Sequence, residues 1–407
     1  MVHRNPCIAN IKTAYLFPEI ARRRREYEAA HPGAKIISLG VGNTTEPVFP
    51  HIGGALSAGA LALAALETYT GYGDEQGLTA LREKIAAVLY KGMIAADEVF
   101  ISDGAKCDIG RLQLLFGAGT GAAVQDPSYP VYVDGSVLIG AAGGPIQRAG
   151  ADSAAYRGLT YLPCAAENNY FPDLDLIPPD CLVYFCSPNN PTGVASDRKQ
   201  LAALVEAARG RGSIIIFDSA YCEYIRDPRL PRSIYEIEGA KSCAIEVNSF
   251  SKSAGFTGVR LGWSVVPKDL KYASGESVNA DWNRICATIF NGASNIAQAG
   301  GLAALDDEGL KEIRALTDFY LGNAKLIREA LRHLGISCVG GDNSPYVWAH
   351  FPGRESWDVF SEILEKCRVL STPGAGFGPA GRDCIRFSAF GHRADVEEAC
   401  TQLGNLK

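Results

Sequence analysis

Ala244-Ile245-Glu246-Val247-Asn248-Ser249-Phe250-Ser251-Lys252 begins as a short apolar run and ends in two serines and a lysine. A run of that length bounded by polar and turn residues reads as a buried strand, which puts its polar tail at the strand's C-terminal end. Two earlier runs repeat the arrangement. Leu182-Val183-Tyr184-Phe185-Cys186 leads into Ser187-Pro188-Asn189-Asn190-Pro191-Thr192-Gly193, and Ile214-Ile215-Ile216-Phe217 leads into Asp218, with Tyr221 three residues on. Val99-Phe100-Ile101, Ala122-Ala123-Val124 and Leu261-Gly262-Trp263 read as further strands. Helical patterns fill residues 78–90, 106–116 and 198–209, the last opened by Ser196 and Asp197 as cap residues. Alternation of this kind predicts an α/β fold around a mainly parallel sheet. The C-terminal strand ends of such a sheet face one crevice, where Asn190, Asp218, Tyr221, Ser249, Ser251, Lys252 and Arg260 converge.

Outward from this core the texture changes. After Asp281 come helical stretches at 282–305 and 307–334, then short strand candidates at 346–350, 368–371 and 384–388, with a glycine-rich loop at 374–381. The expected organisation is a large domain, 50–292, and a smaller α+β domain in which segment 1–49 joins 293–407. A chain of 407 residues is long enough for two such cores.

Composition narrows the function classes. A net charge of -6 supplies no field to hold a nucleic acid. The one basic run, Arg22 to Arg25, lies among Glu19, Glu26 and Glu28 and reads as the solvated face of a helix over 17–31. Twelve cysteines without a C-x-x-C, and six histidines without an H-x-x-x-H, predict reduced thiols and no metal site. The apolar stretch Ala55 to Leu66 falls short of the roughly 20 residues that cross a bilayer, so a soluble protein with no membrane partner is expected. The first twenty residues contain no apolar signal core and no organelle transit peptide.

The polar residues at the strand ends suit pyridoxal 5'-phosphate (PLP). That cofactor needs a lysine amine for its aldehyde, a carboxylate for its ring nitrogen and a cup for its phosphate. Lys252, Asp218, and Ser249 with Ser251 and Arg260 meet those needs in turn. Asn190 and Tyr221 are donors for the ring's phenolic oxygen, and Tyr129, in Asp126-Pro127-Ser128-Tyr129-Pro130, is placed to stack on the ring. Each signal is weak alone, since an Asp after a strand is usually a cap and a proline-rich turn is common. Their order along the chain is what gives them weight.

At this point the sequence resembles the fold-type I PLP enzymes, among them the aminotransferases of the aspartate aminotransferase group. The matches are N-P-T-G at 190–193, D-x-x-Y at 218–221, S-x-S-K at 249–252, G-V-R-L-G-W at 258–263 and the R-x-S of Arg386-Phe387-Ser388. The resemblance implies a seven-stranded sheet between helices, a Schiff base on Lys252, and Arg386 gripping the substrate α-carboxylate with a two-pronged pair.

Residues 12–17, 39–44, 71–77 and 103–108 further resemble the LL-diaminopimelate aminotransferases, which move an amino group between LL-2,6-diaminopimelate and 2-oxoglutarate, yielding tetrahydrodipicolinate and glutamate in lysine biosynthesis. That resemblance implies Tyr15, Gly42, Lys106, Tyr129, Asn190 and Asn291 beside Arg386 around the substrate, and Tyr72, Ala105 and Lys106 near the phosphate. It also implies a homodimer in which Tyr72, Glu75 and Asn291 reach across from the partner subunit. Glu75 would accept the distal ammonium of diaminopimelate, which glutamate lacks. Relatives occur in plastids and in bacterial cytoplasm, so either compartment fits. The rival readings are a fold-type I aminotransferase for aspartate or an aromatic amino acid, and a silent PLP-binding sensor. A nucleotide site at Gly40-Val41-Gly42 or Gly117 to Gly121 is discounted, since neither completes G-x-G-x-x-G.

Overall fold

The computed structural model describes residues 1–11, 16–146 and 155–406. Its main sheet has seven strands: β1 (Val99–Ser102), β2 (Gly121–Asp126), β3 (Leu159–Pro163), β4 (Cys181–Cys186), β5 (Ile214–Asp218), β6 (Ala244–Ser249) and β7 (Gly262–Val265). Their spatial order is β1-β7-β6-β5-β4-β2-β3. Strands β3, β2, β4, β5 and β6 run parallel, and β7 is antiparallel to both β1 and β6. The six apolar runs are all strands. The seventh, β3, reads Leu-Thr-Tyr-Leu-Pro and lies at the sheet edge, where a polar residue and a terminal proline are tolerated.

Strands covered on both faces carry continuous apolar runs, and alternate residues serve different cores. Val183, Phe185, Ile215 and Phe217 enter one cluster, while Leu182, Tyr184, Ile216 and Ile245 enter another. Besides the helices Pro6–Asn10 and Thr79–Val88, the latter within the helical pattern at 78–90, and the one-turn Phe250–Ser253, the helices are α1 (Leu16–Ala30), α2 (Pro50–Ala62), α3 (Ala105–Phe116), α4 (Pro130–Leu138), α5 (Arg198–Gly210), α6 (Val278–Ile289), α7 (Asn295–Ala304), α8 (Asp307–His333), α9 (Ser356–Cys367) and α10 (Arg393–Leu403). Leu201, Leu204, Val205 and Ala208 of α5 cover the first face, and Ile109 and Leu112 of α3 the second. Asp197 caps α5 by accepting the Gln200 N–H at 2.8 Å, whereas Ser196 lies outside that cap.

The single helical stretch expected over 282–305 is broken. Asn291 adopts φ +66° and Gly292 φ +92°, left-handed conformations that end α6, and Ser294 then caps α7. The glycine-rich 374–381 stretch forms two short 3-10 turns.

A second, four-stranded antiparallel sheet has the order β8 (Ser337–Gly340), β9 (Tyr346–His350), β11 (Cys384–Ser388), β10 (Thr372–Pro373). Its core joins Leu16, Ile20, Tyr27, Ile37 and Leu39 of the N-terminal segment to Phe360 and Ile363 of α9 and Val396 of α10. The segment expected as strand at 368–371 pairs only Val369 and Leu370, parallel to Ile37 and Ser38. On α1 the basic run is paired as expected: Arg22 with Glu19 and Glu26, and Arg24 with Glu28. The 27-residue α8, about 40 Å long, contributes Ile313 to the first core and Ala324, Ile327 and Leu331 to the second. Among the described residues no helix is long and apolar enough to cross a membrane. All twelve cysteines are free thiols.

One carboxylate sits inside the main core. Glu246 on β6 accepts Tyr90 Oη at 2.8 Å and Ser219 Oγ at 2.9 Å on one oxygen, and Ser233 Oγ at 2.6 Å and the Ile234 N–H at 3.1 Å on the other. Four donors around two oxygens leave no room for an amide N–H. Glu246→Gln is therefore expected to cost about 1–3 kcal/mol, read as a lower urea midpoint at unchanged slope.

Candidate functional site

Strand register brings the site together. Cys186 pairs with Asp218, and Asp218 with Val247, so β4, β5 and β6 end side by side and their following residues meet in one crevice. A cavity of about 240 Å³ lies there, lined by Asn43, Ala105, Lys106, Tyr129, Asn190, Asp218, Ala220, Tyr221, Ser249, Ser251, Lys252, Thr257 and Arg260.

Lys252 sits in a one-turn helix, Phe250–Ser253, directly after β6. Ser249 caps that turn by accepting the Ser251 N–H at 2.9 Å, and Tyr224 Oη donates to the Lys252 carbonyl at 2.8 Å. The lysine ammonium donates to the Gly42 carbonyl oxygen and lies 5.4 Å from the centre of the Phe390 ring. Its pKa is lowered to about 8, first by burial and then by the nearby charges of Arg386 and Arg260.

Asp218 is 5% exposed. Its Oδ2 accepts Tyr132 Oη at 2.7 Å and its Oδ1 the Ala220 N–H at 3.1 Å. Burial raises its pKa against these two hydrogen bonds. Tyr221 Oη lies 2.9 Å from Tyr346 Oη. Tyr129 lines the cavity with Lys106 Nζ 5.8 Å from its ring centre.

The other end of the cavity is cationic. The 12-residue α3 begins at Ala105, so its N-terminal N–H groups and positive dipole end open beside Arg260 and the hydroxyls of Ser249 and Ser251. Two glycines make the close approach possible. A Cβ at Gly104 would lie 2.6 Å from Arg260 Nη2, and one at Gly262 would lie 2.7 Å from the Gly104 Cα. Arg260 itself adopts φ +68°, a strained conformation of the kind that concentrates at functional sites. A lysine amine of lowered pKa, a buried carboxylate and a cationic cup of this shape fit pyridoxal phosphate.

Arg386 is buried on β11, behind the cavity. Its Nη1 donates to Asn190 Oδ1 and its Nη2 to the Gly40 carbonyl, both at 2.7 Å, and its guanidinium lies 4.4 Å from the Tyr346 ring centre. Its Nε is left without a partner. A buried unpaired N–H of a cation is costly, and a carboxylate acceptor would relieve it. With Asn190 Oδ1 engaged by Arg386, the Asn190 amide nitrogen remains the group that can donate into the cavity.

Three residues expected to reach the site from a partner subunit lie outside the cavity lining of their own protomer. Tyr72 is 87% exposed, and Glu75 and Asn291 are also exposed. They share one region: Asn295 donates to Thr70 Oγ1 at 2.9 Å and to the Gly71 carbonyl at 3.1 Å, and a Cβ at Gly292 would lie 3.1 Å from the Asp74 carbonyl oxygen. Tyr15 falls outside the described residues. Sequence reading missed Asn43, Thr257, Tyr132 and Tyr346. Tyr132 looks like an ordinary apolar position of α4 and Tyr346 like a strand residue, and neither has a local signal.

Among the described residues one trio brings metal-type ligand atoms within 4.8 Å of one another: His350, Asp383 and Cys384. Spacing hid it, because His350 and Cys384 are cross-strand partners of β9 and β11. His350 Nε2 is already 2.8 Å from Asp383, and burial and then Asp383 raise the Cys384 pKa, which keeps its thiol protonated and a poor ligand. The trio lines a cavity separate from that of Lys252.

The family described as aminotransferase class I and II matches residues 34–403. The LL-diaminopimelate aminotransferase of Protochlamydia amoebophila (strain UWE25) is 51% identical over 403 residues, covering 99% of this chain and 97% of that protein. The chloroplastic LL-diaminopimelate aminotransferase of Arabidopsis thaliana is 52% identical over 100% of this chain and 87% of its own length. The solved L,L-diaminopimelate aminotransferase of Chlamydomonas reinhardtii superposes with a TM-score of 0.95 at 53% identity, covering 100% of this chain and 98% of the other.

The depressed pKa of Lys252 has a direct readout. In protein freed of cofactor, acylation of Lys252 by an amine-selective reagent should rise with pH around a midpoint near 8 and not near 10.5, followed by peptide mass spectrometry. Arg386→Met should move the midpoint upward, because it removes a neighbouring positive charge.

Proposed function

The chain belongs to the aminotransferase class I and II family, and on that premise we propose that it transfers an amino group between LL-2,6-diaminopimelate and 2-oxoglutarate, yielding tetrahydrodipicolinate and L-glutamate on a route to lysine. The observation that carries the proposal is a single cavity holding Lys252, Asp218 and a cationic cup, in a chain 51% to 53% identical to enzymes of that name along essentially its whole length. Pyridoxal phosphate, when bound, supplies the electron sink that makes the α-proton of an amino acid removable.

The chain's residues hold and steer that chemistry. Lys252 would hold the cofactor aldehyde, and a pKa near 8 would make its free amine a competent base for the substrate α-proton. Asp218 would serve the ring nitrogen, Tyr129 would cover the ring, and the Asn190 amide and the Tyr221 hydroxyl would donate to the phenolic oxygen. Ala105, Lys106, Ser249, Ser251 and Arg260 would hold the phosphate. Arg386 binds the α-carboxylate, with its unpaired Nε as an added donor. Gly42 keeps the space beside Tyr346 open, since a Cβ there would strike the Tyr346 hydroxyl. Tyr15 completes the substrate side on its place in the sequence.

Selectivity is assigned to residues from a second subunit. Glu75 accepts the distal ammonium of diaminopimelate, and Asn291 and Lys106 serve the carboxylate oxygens of either substrate. Tyr72 reaches the partner's phosphate. The grouping of Tyr72, Glu75 and Asn291 on one exposed face, flanked by exposed Leu66, Tyr69 and Ile289, supports a homodimer with shared sites.

Purified enzyme mixed with LL-diaminopimelate and 2-oxoglutarate should form glutamate, and Lys252→Ala should lower the rate by about 10³-fold or more while its melting transition persists. Faster turnover of aspartate or an aromatic amino acid would reassign the substrate. The shared site has its own test. Lys252→Ala and Glu75→Ala protomers, each inactive on diaminopimelate, should regain about a quarter of wild-type activity when unfolded together and refolded, because a hybrid dimer holds one intact site.

A further inference from the structure

Tyr132 lies on α4, three residues after Tyr129, and is 1% exposed. Its ring is stacked on Tyr184, with centroids 5.2 Å apart and 12° between planes, and it meets the Tyr129 ring edge-on at 5.9 Å. Two aromatic contacts on different sides fix the direction of its C–O bond. That bond ends 2.7 Å from Asp218 Oδ2. Asp218 is only 5% exposed at the end of β5, and its other oxygen accepts the Ala220 N–H. A buried carboxylate held by two donors on opposite oxygens cannot rotate, and one of its donors is a side chain that also touches the ring-covering tyrosine.

We propose that Tyr132 is a positioning residue: its hydroxyl fixes the plane of the Asp218 carboxylate and keeps that carboxylate a weak base, so that the proton stays on the ring nitrogen of the cofactor. The proposal rests on the PLP reading of this site. A hydrogen bond donated to a carboxylate stabilises its charged form, and here the Tyr132 bond is the largest influence opposing the desolvation of Asp218. Without that bond Asp218 becomes the stronger base and draws the proton toward itself. The ring then withdraws electrons less strongly, and the protonated form of the lysine–cofactor linkage persists to higher pH.

The test uses the full-length holoenzyme. In Tyr132→Phe the pH midpoint of the bound cofactor's visible absorbance should move up by about half a unit or more, and kcat should fall about tenfold while both KM values stay within about twofold. Tyr184→Phe removes a hydroxyl from the same stack that bonds Gln113 and Ser136 and not Asp218, so it should leave the midpoint in place. Fluorotyrosine incorporated at 132 keeps the ring and makes the hydroxyl a stronger donor, and it should move the midpoint down. It also decides the matter should Tyr132→Phe not fold. A coloured wild-type enzyme whose midpoint is unmoved by either change at 132 overturns this role and leaves the cofactor reading intact. A wild-type enzyme that never acquires the visible band overturns the cofactor reading, and this role with it.

Discussion

Pairing between three neighbouring parallel strands sets the position of the central groups of the cavity. Cys186, Asp218 and Val247 sit level with one another, so β4 and β5 end together, β6 runs two residues past them to Ser249, and the three deliver an amide, a carboxylate and a lysine to one crevice. Side chains alternate faces along a strand, so a slip of one residue in β5 would turn Asp218 into the opposite core and bring Phe217 to the site. The apolar runs on both sheet faces resist that slip. Val183, Phe185, Ile215 and Phe217 fill one layer, and their alternates fill the other.

Electrostatics then divide the cavity. Lys106 and Arg260 stand at the start of α3, whose N-terminus adds to their field, while Asp218 lies beside Tyr132 at the end of its strand. A dianionic phosphate and a cationic ring nitrogen are opposite demands, and a cavity cationic at one end and holding a buried carboxylate at the other would suit both. Burial, followed by the nearby charges of Arg386 and Arg260, lowers the Lys252 pKa to about 8, which suits the role of base proposed for its amine. Arg386 contributes one of those charges from the second sheet, so the group proposed to bind substrate also helps set the reactivity of the lysine.

Helix α8 and the aromatic cluster beneath it explain how the two cores stay in step. Tyr221, Tyr224, Tyr346 and Phe390 pack with Leu316 and Tyr320 of α8 between the main core and the second one. Tyr346 touches the Tyr221 hydroxyl and the face of the Arg386 guanidinium, and it leaves space only for glycine at position 42. Tyr346 thus ties the second sheet to Tyr221 in the cavity lining and to Arg386 at once.

Much of this was legible in short stretches of chain. The six apolar runs, the polar residue after each of three of them, and the Ser249-Phe250-Ser251-Lys252 turn are local facts, because a strand's burial and a turn's chemistry are written in adjacent residues. The seventh strand was not legible, since an edge strand with a threonine and a proline lacks the signal of burial on both faces. Nor was the break at Asn291, where a left-handed residue interrupts an otherwise continuous helical pattern. The contacts that tune the site are of a different kind. Tyr132 reaches Asp218 across 86 residues of chain, Arg386 reaches Asn190 across 196, and Lys252 reaches Gly42 across 210. The sequence determined which chemical groups the site would hold, and folding alone decided which neighbours each would meet, because proximity between distant residues follows from packing and register and not from any local pattern.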